Sequence, residues 1–342
     1  MVLCADLDFS NAVITAYPTF SGNFNGNHHT ITNVTSNDYG IFQGFNGATA
    51  KDLTLDHFTV TANAAHSGTL VGTVKDSTVT GMVVTNSNIT SSTGQFVAGL
   101  IGIMMGSSTT GCLIQQNKVT TTQITFDAIG TGGGLIGALN SETAVNDIIT
   151  QNTVNVTLTH SASTYCEGGL IGYISNGQVT QNAVNVTFLV GGYERSGGLL
   201  GCFEAGSGAK PMLVKNNSVT FSGLSGDGFA RVGGIYGAGE TSITATVDSN
   251  WINGSVTAGN TTRGMVFGYQ YTGSVAITNT YWHNDGSGLA AYQMCASTCT
   301  VDGNSGAISS YTTTPFTGGS SWADATIWNF TNGSPPTLVG LP

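Results

Sequence analysis

Across 342 residues, 18 acidic side chains outnumber 8 basic ones, and the resulting net charge of −10 would repel a phosphate backbone. Charged residues are only 8% of the chain and apolar ones 40%, which excludes the low-hydrophobicity, high-charge composition of disordered segments. No apolar run approaches the ~18 residues of a membrane span, so neither nucleic acid nor a span within this chain is expected.

Residues 1–36 read as an opening coil or N-terminal cap. Ala5-Asp6-Leu7-Asp8-Phe9 alternates like a strand, Phe20 to Asn27 supplies turns, and Thr30-Ile31-Thr32-Asn33-Val34 alternates again. No leader is visible in Met1 to Ala5, so export is expected to rely on segments outside this chain or on another route. Leu53, Leu55, Phe58 and Val60 continue the two-residue period, with a slip at Asp56-His57 that suits a corner.

A glycine motif then recurs through residues 37–282. Its copies are Gly68-Thr-Leu-Val-Gly72, Ala98-Gly-Leu-Ile-Gly102, Gly133-Gly-Leu-Ile-Gly137 and Gly168-Gly-Leu-Ile-Gly172. Gly197-Gly-Leu-Leu-Gly201, Gly233-Gly-Ile-Tyr-Gly237 and Gly264-Met-Val-Phe-Gly268 follow, and a worn copy precedes them at Gly40-Ile-Phe-Gln43. Closing positions are separated by 29, 30, 35, 35, 29, 36 and 31 residues. A second motif keeps the same period: Asn117, Asn152, Asn182, Asn217, Asn250 and, less regularly, Asn279 each sit between apolar residues. Two motifs in phase at roughly 30 residues point to a solenoid, since a propeller blade needs ~40–45.

Each unit of three short strands cannot bury its apolar face alone and must stack on its neighbours. The Leu-Ile pair is expected in the core, glycines at corners, and the asparagines in a ladder up the stack. The stretch from a ladder Asn to the next closing Gly is nearly constant, 18 to 20 residues, whereas Gly to Asn varies from 10 to 16. Loops, and with them the contacts, are therefore expected before each ladder Asn. Residues 283–342 read as a C-terminal capping segment, because Trp322, Trp328 and Phe330 follow the last repeat. Within it, Cys295 and Cys299 are candidates for a small disulfide loop, while Cys112, Cys166 and Cys202 read as small core residues.

The glycine units resemble the GLUG motif of large bacterial surface proteins, including filamentous-haemagglutinin-like adhesins. Phe20-Ser-Gly-Asn-Phe-Asn-Gly-Asn-His-His-Thr-Ile31 is similar to the stretch before their first repeat. Tyr281-Trp282 and Trp328-Asn329-Phe330 resemble their closing segment. The resemblance implies an all-β, right-handed parallel β-helix of the pectin-lyase-like kind; about 8–10 coils with a C-terminal cap are expected, a rod core of about 40–50 Å at ~4.8 Å per strand. No catalytic residues travel with the motif. Gln43, His28 and the two late cysteines depart from the family pattern.

Chemistry is sparse. Asp147, Glu167, Glu204 and Asp248 fall at different offsets from the ladder asparagines, so no stacked carboxylate pair is expected. The histidines are scattered, and neither a metal nor another cofactor is expected. Sequons such as Asn155-Val-Thr157 and Asn185-Val-Thr187 occur near chance for a chain rich in Asn and Thr. Trp251, Tyr271, Tyr281 and Trp282 are the candidate contact aromatics, weighed against packing in core or cap. The expected function is a non-catalytic, secreted or cell-surface structural or adhesive module that presents a binding surface to a glycan or a host or cell-surface protein. A self-assembling filament subunit and a polysaccharide lyase or hydrolase are the alternatives. Ice binding is disfavoured because threonine positions vary between repeats.

Overall fold

The structure is a computed structural model describing all residues except 92, 94, 107–109, 127–129, 142–146, 161–164, 190–194, 205–210, 227–229, 241–242, 259–261, 284–288, 297, 310–315, 317–321 and 323. Its strands stack in parallel into sheets of nineteen, nine and seven strands, the arrangement of a parallel β-helix. The nine-stranded sheet runs from Phe42–Asn46 to Tyr292–Cys295, so nine windings pass through it.

The repeat motif explains itself at an elbow between the two smaller sheets. Leu70, Leu100, Leu135, Leu170 and Leu199 lie one above another, each fully buried. The backbone N–H of each of the first four donates to the carbonyl of the next at 2.9–3.2 Å. The residue after each leucine, and after Ile235 and Val266 that take its place in later windings, starts the next strand, giving the buried row Val71, Ile101, Ile136, Ile171, Leu200, Tyr236 and Phe267. Late in the stack this row turns aromatic: Tyr236 on Phe267 and Phe267 on Tyr292 stack at 4.9 and 4.8 Å. The flanking glycines permit the bend. A Cβ on Gly133 would lie 1.9 Å from the Ile136 carbonyl oxygen, and one on Gly137 would strike the backbone of Val97. Backbone therefore meets backbone where any side chain would wedge the sheets apart.

A second corner carries the asparagine ladder. Gln116, Gln151, Gln181, Asn216 and Ser249 adopt left-handed φ of 54–57°, and the residue after each is a buried Asn. Asn117 donates both its backbone N–H and its Nδ2 to Asn152 Oδ1, each at 3.0 Å. Asn152 does the same to Asn182, Asn182 to Asn217, and Asn217 to Asn250. Each Nδ2 also reaches a carbonyl on the preceding winding, such as Ile114 O from Asn152, and some reach one in their own turn as well, such as Thr180 O from Asn182. An amide is one of the few side chains that both donates and accepts, so it can be repeated indefinitely at one buried position.

Asn279 does not belong to this ladder. Val247 pairs with Ile277 and Asp248 with Thr278, which puts Thr280 over Asn250. Thr280 Oγ1 accepts from the Asn250 N–H at 3.4 Å and terminates the row. Asn279 takes the left-handed position instead, with φ 46°, and donates Nδ2 to Asp248.

The stack continues beyond Trp282 into Tyr292–Cys295, Thr298–Val301 and Gly306–Ile308. The Cys295–Cys299 disulfide links the first two of these strands. The described part of the tail packs against the last windings. Strand alternation turns Ile252 and Trp282 inward and Trp251 and Tyr281 outward. Phe316, Trp322 and Trp328 pack on that outward pair in a separate apolar cluster, and Trp322 Nε1 donates to Asn279 O at 2.6 Å. The described part of the tail therefore covers a flank of the last windings.

Candidate functional site

Three of the four candidate aromatics are structural. Trp251 (1% exposed) and Tyr281 (5%) lie under the tail, and Trp282 (6%) lies in the main core. Tyr271 is 55% exposed. The loops before each ladder Asn, expected to carry contacts, fall largely at 107–109, 142–146, 205–210 and 241–242, outside the described residues.

Tyr271 stands at one end of a polar ribbon that the sequence reading missed. The chain's only arginines, Arg195, Arg231 and Arg263, all lie on successive strands of the seven-stranded sheet: Arg195–Gly197, Arg231–Gly233 and Thr262–Gly264. Arg195 and Arg231 are in direct register. On the other side of the elbow, Glu204 and Glu240 follow the paired strands Leu200–Phe203 and Tyr236–Gly239, one winding apart. Arg195 approaches Glu204 Oε1 at 3.6 Å and Glu240 Oε2 at 2.9 Å, and Arg231 pairs with the other oxygen of Glu240. Tyrosines bracket the charges. The Arg195 guanidinium sits 4.3 Å from the Tyr165 ring centroid and Arg231 4.5 Å from that of Tyr269, which lies beside Tyr271.

The Tyr165 hydroxyl donates to Glu204 at 2.6 Å. Burial raises the Tyr165 pKa, and that hydrogen bond adds to the rise. Burial, reinforced by the Glu204 charge, pushes Tyr173 up to about 12. Both phenols therefore stay protonated at neutral pH, and that of Tyr165 serves as a donor rather than a base. The Arg195 and Arg231 guanidinium groups balance the Glu204 and Glu240 carboxylates in a run of cation–π and ionic contacts.

A signal for this site was present in the chain. Arg195-Ser-Gly-Gly-Leu-Leu-Gly-Cys-Phe-Glu204 and Arg231-Val-Gly-Gly-Ile-Tyr-Gly-Ala-Gly-Glu240 share every spacing. Measured from the ladder Asn, the acids are separated by a half-repeat whose length varies, which hides the alignment. Counted from the closing glycine, the two glutamates coincide and stack.

Other titratable groups are interior. His160 Nδ1 lies 2.7 Å from Glu167 Oε1, both buried. Beside Glu167, Cys166 is buried as expected, as is Cys202, and the two are joined in a disulfide that the sequence reading did not anticipate. The Cys112 thiol is pushed up to about 12 by burial, which keeps it unreactive. Among the described residues no three His, Cys, Asp or Glu side chains group as a metal site, and no helix is long and apolar enough to cross a membrane. Comparison of the chain with protein-family models, with curated proteins and with solved structures finds no match.

Proposed function

We propose that this chain is a non-catalytic, secreted or cell-surface adhesive module whose rigid stack holds the arginine–tyrosine ribbon out to a protein partner. The observation that carries the reading is the pairing of Arg195 and Arg231 through Glu240, framed by Tyr165, Tyr269 and the exposed Tyr271. Tyr and Arg are the residues that dominate binding energy at protein interfaces. Here the solenoid fixes them in advance, so little conformational entropy is lost on binding. Two disulfides support an oxidising, extracytoplasmic location. The GLUG-like repeats support the adhesin reading.

The test is to incubate the purified chain with immobilised extracellular-matrix and cell-surface glycoproteins and, separately, with soluble polysaccharides. Saturable binding to at least one glycoprotein is expected, lost in an Arg231→Ala/Tyr271→Ala double variant, with no new reducing ends or unsaturated products from any polysaccharide. Release of such products would replace the adhesive reading with an enzymatic one.

A further inference from the structure

A third row of corner residues runs up the nineteen-stranded sheet and then stops. His57 follows Asn33 in register, Asn86 follows His57, and Thr121 follows Asn86, all with left-handed φ of 49–56°. Side chains link the row: Asn86 N–H donates to Thr121 Oγ1 at 3.1 Å, and Thr121 Oγ1 donates to Asn86 Oδ1 at 3.0 Å. The next two windings have no such residue. Thr120 pairs with Asn155 and Thr122 with Val156, so Thr121 has no counterpart. Asn155 and Val156 pair directly with Asn185 and Val186.

Omitting one residue from each of two stacked windings leaves a notch of about 460 Å³ in the side of the rod. Thr121 and Gln123 form one wall, Asn155 and Thr157 the floor, and Thr187 and the 44%-exposed Leu189 the far side. The volume falls within the range of small-ligand sites, roughly 300–1,000 Å³. Its lining decides the ligand class. Among the described lining residues no charged side chain is present to neutralise a carboxylate, sulfate or phosphate, so an acidic ligand would lose its hydration there without compensation. An apolar ligand would strand the amides and hydroxyls. Threonine, asparagine and glutamine each donate and accept, which suits a molecule of many neutral hydroxyls, and Leu189 offers an apolar edge to its C–H face.

We propose that this notch is a binding site for a neutral saccharide, whose hydroxyls take the place of the missing corner side chains beyond Thr121. The site is independent of the arginine–tyrosine ribbon. The experiment uses the full chain produced without glycosylation, so that the sequon asparagines Asn155 and Asn185 are bare. It is screened on an array of neutral, uronic, sialylated and sulfated oligosaccharides, and hits are titrated by calorimetry. Binding is expected among neutral glycans, about tenfold weaker in Asn155→Leu and in Thr157→Val, each removing hydrogen-bonding capacity from a strand position. Tyr271→Ala should leave it unchanged, which separates failure here from failure of the ribbon. The proposal is overturned if no neutral glycan binds, if only acidic glycans bind, or if both notch variants bind like the parent while their circular dichroism is native.

Discussion

Asn182 gives its backbone N–H and its side-chain amide to one oxygen, Asn217 Oδ1, at 3.0 Å each. The same oxygen thus satisfies two buried donors on the preceding winding. Replacing Asn217 by Leu would orphan the buried Asn182 N–H, at about 1–3 kcal/mol. It would also remove the Asn217 amide's own bonds to Asn250 Oδ1 and the Val179 carbonyl, while Asn182 Nδ2 keeps the Ile149 and Thr180 carbonyls. A total loss of about 3 kcal/mol or more is expected in urea unfolding. Asn279→Ala, outside the ladder, should cost about 1 kcal/mol. Equal losses would mean that the ladder contributes nothing special.

The elbow gives a steric counterpart. Gly133→Ala places a methyl against the Ile136 carbonyl and should destabilise by about 3 kcal/mol or more. Gly306→Ala meets nothing within 4 Å and should stay within about 0.5 kcal/mol. Thermal unfolding of the two variants side by side measures the difference.

Cys166 and Cys202 are 36 residues apart in sequence and join adjacent windings. Loop-closure entropy for that length is worth about 4 kcal/mol. Cys202→Ser, with Cys166→Ser to avoid a stray thiol, should lower stability by a comparable amount. The Cys295–Cys299 loop is much shorter and should matter less. Free-thiol titration before and after denaturation checks the pairing itself.

Two aspartates should pull stability in opposite directions with pH. Burial lifts Asp147 above the usual carboxylate range, although hydrogen bonds from the Cys112 N–H and Ser141 hydroxyl resist the rise. A raised folded pKa means that its contribution is full below the ordinary aspartate value, about 4, and is lost as pH rises through the folded value. For Asp248, burial also pushes upward, but hydrogen bonds from Asn279, Lys215 and Thr278 outweigh it and leave the pKa lowered. Its contribution is present above about pH 4 and lost as pH falls through the depressed value. Asp147→Asn should therefore gain on the parent as pH rises, and Asp248→Asn should lose. Urea midpoints between about pH 3 and pH 8 give both signs.

Much of the fold could be read directly, because stacked windings force identical demands at identical positions. Leucine recurs where the elbow meets the core, glycine where backbones touch, and asparagine where a buried corner needs both donor and acceptor. The errors arose where the demand changed. Thr280 replaces Asn because the last ladder position has only the Asn250 N–H to satisfy, and the neighbouring Asn279 imitates a rung in sequence alone. Trp251 and Tyr281 became core-like only because a tail more than 30 residues downstream covers an outward face, and strand period alone cannot reveal that contact. The Glu204–Glu240 stack and the notch at Asn155 depend on where insertions and omissions fall, which only the paired register exposes. The threonines at 61, 90, 125 and 159 also align there, although their spacing in the chain is irregular.

The stack itself can be measured with spin labels at Thr59→Cys and Ser222→Cys, in a background with Cys4 and Cys112 replaced by serine. Pairing carries this row through Thr59, Asn88, Gln123, Thr157, Thr187 and Ser222, five steps from the first winding to the sixth. At ~4.8 Å per winding the backbones should be about 24 Å apart, and a pulsed electron-resonance experiment should give one narrow distance near that value. A broad distribution, or a distance beyond about 40 Å, would contradict the in-register helix and every site placed on it.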